Sequence, residues 1–270
     1  MPKLRTLQKL LGMLIFAYLV FCVAIYAMQK RMLFPTHITK AVATDWQPQG
    51  KDTEQALING NCGQLHVAIW RTPNAKGTLM MFHGNGESLA SIDDYTFAFH
   101  DLGYNLMAWD YPGYGQSTNC WFTQDMLLSD AETAYQWLAT KEKPKQISLF
   151  GYSVGSGIAL SVATKHQENP VYLVAAYDAI VNVASDKFSN IIPVNLLLRY
   201  PMRTRQWVDK IQQTIYLIHG KQDNLILPIR AQSLVQHANG KVKVEWVQKA
   251  GHADNTLFSY RNHWLKRLLP

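Results

Sequence analysis

Ser153 sits in Gly151-Tyr152-Ser153-Val154-Gly155, a serine with a glycine two residues away on each side. A serine hydroxyl is a weak nucleophile until it is exposed and given an adjacent base. The G-x-S-x-G spacing suits a sharp strand-to-helix turn that lifts the serine oxygen out of the backbone. The flanking sequence supplies both halves of that turn. An apolar run, ISLF, precedes it, and the small, apolar GSGIALSVAT follows. Gly157 is expected to let this helix pack close to the sheet. Tyr152, beside the serine, is a candidate pocket residue.

A nucleophile needs a base, the base needs an orienting acid, and the developing oxyanion needs N–H donors. Nine histidines are available as the base. His252, in Ala250-Gly251-His252, follows the last expected strand and is preferred. His219 also follows a strand, but Asp223, four residues on, occupies the place of the acid. Asp178, after the strand at 171–176, is the rival acid. His83-Gly84-Asn85-Gly86 ends another apolar run. The backbone N–H groups of Asn85 and Val154 are the expected oxyanion donors, and His83 reads as structural. The segment Asp110-Tyr111-Pro112-Gly113-Tyr114-Gly115 reads as a tight turn near the site, with Tyr111 lining the pocket.

These residues must be held by elements, and the pattern is one of alternation. Short apolar strands are expected at 65–71, 78–82, 105–109, 147–150, 171–176, 214–218 and 242–247. Helices are expected at 89–102, stopped by Gly103, and at 125–141, capped by Thr123. Further helices fall at 155–164, 229–238 and 257–268. Continuous apolar strands alternating with helices predict an α/β fold, mainly parallel and covered by helices on both faces. In such sheets functional residues leave the carboxyl ends of strands. Ser153, Asn85, Asp223 and His252 all satisfy that rule.

The stretches QKRMLFPT, MFHGNGES, WDYPGYGQST, LFGYSVGSGIAL, LIHGKQDNLILP and AGH, in this order, resemble the α/β-hydrolase superfamily. They are most similar to its membrane-anchored, short-lid "alpha/beta hydrolase domain-containing" serine hydrolases. The resemblance runs from about Gln29 to the end of the chain. It implies a catalytic triad of Ser153, Asp223 and His252, with Asn85 and Val154 as oxyanion donors and no cofactor. The chain departs from the usual pattern at Gly155-Ser156-Gly157 and at AAYDAIVNVAS.

The formal net charge is +7, yet its distribution argues against nucleic acid. Lys3, Arg5, Lys9, Lys30 and Arg31 lie in the first 31 residues, which hold no acid, and the remainder is almost neutral. No basic stripe with interleaved aromatics is present there. Of three cysteines, Cys22, Cys62 and Cys120, none forms a C-x-x-C pair, so no zinc site is expected. Cys62 and Cys120 can pair only in an oxidising compartment.

Residues 10–28, LLGMLIFAYLVFCVAIYAM, carry no charge. Nineteen helical residues span about 28 Å, close to the hydrocarbon thickness of a bilayer. The run reads as an uncleaved single-span anchor in an inner or plasma membrane; a signal peptide with a weak site at Ile25 and Ala27 is the competing reading. Cations flank both ends, so orientation is left open. The expected layout is an anchor at 1–31, a connecting segment at 32–54 and a hydrolase domain at 55–270. Residues 177–213 form a short cap whose apolar run, including Leu196, is expected to wall the pocket, with Arg199, Arg203 and Arg205 at its edge. The expected partners are the membrane and a small, lipid-derived acyl ester or thioester. A serine peptidase and a non-catalytic binding module are the alternatives.

Overall fold

The computed structural model describes residues 2–38, 46–48, 52–94, 96–238 and 240–269. Residues 39–45 and 49–51 of the connecting segment lie outside them. The centre is one eight-stranded sheet built from β1 (Thr53–Gly60), β2 (Gly63–Trp70), β3 (Thr78–Phe82), β4 (Asn105–Trp109), β5 (Ile147–Tyr152), β6 (Val171–Val174), β7 (Ile215–Gly220) and β8 (Val242–Val247). The strand order is β1-β2-β4-β3-β5-β6-β7-β8. β2 pairs antiparallel with β1 and β4. From β4 to β8 every pairing is parallel. The inner strands are buried on both faces, which is why they read as unbroken apolar runs. In β3, Met80 and Phe82 join one core cluster while Leu79 and Met81 join the cluster on the opposite face.

The helices are α1 (Pro2–Leu33), α2 (Leu89–Asp93), α3 (Phe97–His100), α4 (Gln124–Ala139), α5 (Val154–Ala163), α6 (Ile180–Phe188), α7 (Val194–Leu197), α8 (Thr204–Val208), α9 (Pro228–His237) and α10 (Asn255–Leu268). The single helix expected at 89–102 is two short ones, α2 and α3. α4 begins where expected, with the Thr123 hydroxyl accepting the Met126 N–H at 3.2 Å. An N-cap of this kind contributes about 1 kcal/mol. β1 was not anticipated. Its sequence, TEQALING, lacks an apolar run, and it forms because every residue pairs with β2. The adjoining turn is tied down by a disulfide between Cys62 and Cys120.

α1 is exposed on all sides from Leu4 to Phe21, and then it meets the domain. Cys22 is buried against Ala179, Val181, Ile192 and Val194. The Gln29 amide donates to the Leu197 carbonyl at 2.8 Å, and its oxygen accepts the Arg199 N–H at 2.8 Å. Lys30 binds the Cys120 carbonyl and reaches Asn119 Oδ1 at 3.2 Å. Phe34 enters the main core edge-on to Phe122 and Tyr200. The boundary drawn between residues 31 and 32 therefore falls inside a helix whose last three turns are part of the domain's packing.

Candidate active site

Ser153 occupies the one-residue turn between β5 and α5. Its backbone is at φ 53°, ψ −124°, a left-handed conformation that costs a non-glycine residue on the order of 1–3 kcal/mol. The surroundings hold it there. Its N–H donates to the Val174 carbonyl at 3.0 Å, and its carbonyl accepts from Ser156 at the first turn of α5. Gly155 is needed because a Cβ there would collide with the Phe82 carbonyl. This is the close approach of helix to sheet that Gly157 was expected to provide. Gly157 instead makes room for the Tyr177 hydroxyl and Thr204.

The parallel sheet brings the other groups to the same edge. Ser153 Oγ lies 2.9 Å from His252 Nε2. His252 Nδ1 lies 2.8 Å from Asp223 Oδ2. Asp223 is buried, and its other oxygen accepts the N–H groups of Leu225 and Ile226 at 2.9 and 2.8 Å. The His252 loop is pinned twice. Asp254 caps α10 through the Leu257 N–H and also accepts the Gly251 N–H. Tyr152 stacks on the imidazole and donates to the His252 carbonyl at 3.2 Å. An imidazole so held can take a proton at Nε2 while Nδ1–H stays on the carboxylate.

Asp178 is not part of this chain. It accepts the Ala179 N–H and the Asn182 amide, and it lies 3.6 Å from Arg230. It joins the start of α6 to α9. His219 is fully buried, and Nε2–H donates to the Ile226 carbonyl at 2.9 Å. Burial holds its pKa below the usual histidine value, with the nearby Asp223 charge pulling the other way.

Val154 is the first residue of α5, so its N–H has no partner within the helix. Across from it, the 83–87 loop is fixed by its carbonyls. Tyr111 donates to the His83 carbonyl and Tyr114 to the Asn85 carbonyl, each at 2.8 Å. Glu87 accepts the Gly84 N–H at 2.7 Å. Asn85, Tyr152, Ser153 and His252 line one cavity of about 390 Å³, together with Leu225 and Phe258. His83 is buried and stacked on Tyr111, and desolvation lowers its pKa.

Two expected pocket residues are elsewhere. Tyr111 is fully buried beneath the 83–87 loop, because its ring is needed against His83 and its hydroxyl is spent on a carbonyl. Leu196 is 82% exposed on the outer side of the cap. The apolar run of the cap does not wall the Ser153 cavity; it faces α1. Glu87, Leu225 and Phe258 were missed as lining residues. Glu87 carried a signal, standing three residues beyond Gly84 in MFHGNGES; Leu225 and Phe258 carried none.

Residues 73–193 match a family described as "Serine aminopeptidase, S33". The chain is 27% identical over 241 residues to the human "Alpha/beta hydrolase domain-containing protein 17B", covering 83% of this chain and 77% of that one. Among solved structures it superposes on an esterase of Pyrococcus furiosus with a TM-score of 0.65 and 20% identity, covering 84% and 95% of the two chains. A monoglyceride lipase of Saccharomyces cerevisiae gives a TM-score of 0.63 at 15% identity, covering 83% and 97%. Fold, strand order and these likenesses together make the chain a member of the α/β-hydrolase superfamily, with a long apolar helix at its N-terminus.

Proposed function

We propose that this hydrolase is a serine esterase or thioesterase, anchored in a membrane, in which Ser153, His252 and Asp223 form the catalytic triad. The observation that carries the reading is the hydrogen-bonded chain from Ser153 Oγ through His252 to Asp223, with the serine on a strained turn. Ser153 Oγ attacks the acyl carbonyl and passes its proton to His252 Nε2. The N–H groups of Asn85 and Val154 hold the oxyanion. His252 protonates the leaving alcohol or thiol, and water, activated by the same imidazole, releases the acid. Asp223 keeps the imidazole in the tautomer that carries its proton on Nδ1 and stabilises the imidazolium.

The anchor reading rests on how α1 is used. Cleavage near Ala27 would remove Cys22 and Ile25 and uncover the apolar faces of Ala179, Val181, Ile192 and Val194. A segment that covers part of the core is costly to remove. The exposed stretch 4–21 is then left for lipid.

A panel of p-nitrophenyl esters from two to sixteen carbons, set against aminoacyl p-nitroanilides, tests the substrate class. Short to medium acyl esters are expected to turn over fastest. Anilides cleaved faster than every ester would establish the peptidase that the matched family's description suggests, with Glu87 the acid lining the cavity to meet a free amine.

A further inference from the structure

A second cavity, of about 190 Å³, lies between α1 and the cap and shares no lining residue with the Ser153 cavity. On the α1 side Phe21, Ile25 and Met32 face it, recurring as one stripe of the helix; on the cap side are Phe188, Ile191 and Leu197. Gln29 also lines it, but both ends of its amide are spent on the Leu197 carbonyl and the Arg199 N–H. The space therefore offers an occupant apolar surface and no unsatisfied polar group. A genuinely apolar cavity is not a place for water.

Its depth is set by the helix. The charge-free run covers residues 10–28, and a hydrocarbon core needs about 20 apolar residues. Residues 4–21 are free of the domain, but that stretch includes Arg5 and Lys9. Centring the bilayer on the charge-free run places residues 22–28 inside it as well, about 10 Å of helix. The cap elements packed on Cys22 and Ile25 must then share that depth. Their free surfaces agree: Ile191 is 55% exposed and Leu196 82%. Near the end of that stretch, Arg199 stacks between Tyr26 and Trp121, which is the composition of a headgroup boundary.

We propose that the cavity between α1 and the cap is a binding site for the fatty acyl chain of a membrane phospholipid, entered sideways from the leaflet. The proposal rests on the anchor reading and not on the chemistry at Ser153. The chain lies along Phe21 and Ile25, its headgroup near Arg199 at the level of Tyr26, and it fills the gap that rigid packing leaves between helix and cap.

The test uses full-length protein in phosphatidylcholine vesicles containing a phospholipid with a mid-chain diazirine, with adducts mapped by mass spectrometry. Adducts are expected on the cap around 188–192 as well as on α1. Ala184→Trp, which fills the cavity, should lower the cap adducts several-fold and leave those at Leu14 and Phe16 unchanged. Phe188→Trp, at a half-exposed position, should do the same if Ala184→Trp fails to fold, as read by circular dichroism and thermal unfolding. Adducts confined to residues 4–20 in an uncleaved, membrane-bound protein would overturn the site and leave the anchor standing. Undiminished cap adducts in a folded Ala184→Trp protein would place the lipid on the outer surface and also overturn it. A chain cleaved near Ala27 would remove both readings.

Discussion

Asp223 reaches His252 with one carboxylate oxygen and fastens its own loop with the other. Oδ2 is 2.8 Å from His252 Nδ1, and Oδ1 accepts two backbone N–H groups. Orientation of the imidazole and order of the 223–226 turn thus depend on the same side chain. Asp223→Asn should keep the turn and lose the tautomer control, lowering kcat by on the order of 10⁴. Asp178→Asn should cost less than tenfold, since Asp178 holds Arg230 and Asn182. If the Asp178 variant suffers the greater loss in ester turnover, the two acids exchange roles.

Ser153→Ala removes the nucleophile and also relieves nothing in the backbone, because alanine meets the same left-handed strain. Fluorophosphonate labelling should disappear while thermal unfolding stays within a few degrees of wild type. Residual stoichiometric labelling would assign the nucleophile elsewhere.

Two buried histidines give the fold an acid limit. Desolvation lowers the folded-state pKa of both His83 and His219 below the ordinary histidine value. The unfolded chain therefore binds more protons as the pH falls through that ordinary value, about 6.5. Stability is fully present above it and is lost on acidification towards the depressed folded values. The Tm should fall between neutral pH and pH 5, and His219→Gln should flatten that slope even if it lowers the neutral Tm. An unchanged slope in the variant would remove His219 from the account.

The Cys62–Cys120 disulfide closes a separation of 58 residues. Loops of this length are stabilised by about 2–4 kcal/mol when crosslinked. Reduction, or Cys62→Ser, should lower the Tm by on the order of 10 °C. Disulfides persist in oxidising compartments, so with α1 as the proposed anchor the domain is expected on the non-cytoplasmic side of the membrane. Cysteines 62 and 120 that alkylate in intact cells without prior reduction would contradict this.

The candidate site was legible in the sequence because each of its residues lies within five residues of a strand's carboxyl end: Phe82, Tyr152, Gly220 and Val247 end the strands that precede the four candidate loops. It did not show where the cap faces. Residues 191–198 are apolar in either orientation, and only the packing of Cys22 and Gln29 turns them toward α1. Tyr111 was misplaced for a similar reason. An aromatic residue near a site reads as a pocket wall, whereas here its ring is committed to His83. β1 stayed hidden because its stability comes from pairing with β2, which no apolar pattern in TEQALING announces.

The grip of Gln29, Lys30 and Phe34 on the domain makes α1 a mast and not a leash. A flexible linker would let the catalytic centre sweep a volume above the bilayer, its reach growing with the square root of linker length. A docked helix fixes the height and tilt of the Ser153 mouth. With α1 as the anchor proposed above, encounters would occur in two dimensions, and rate should follow the mole fraction of substrate in the membrane. Bulk concentration should matter only through partitioning. Soluble acyl esters would pay for approach from outside, whereas an ester floating in the leaflet arrives already oriented.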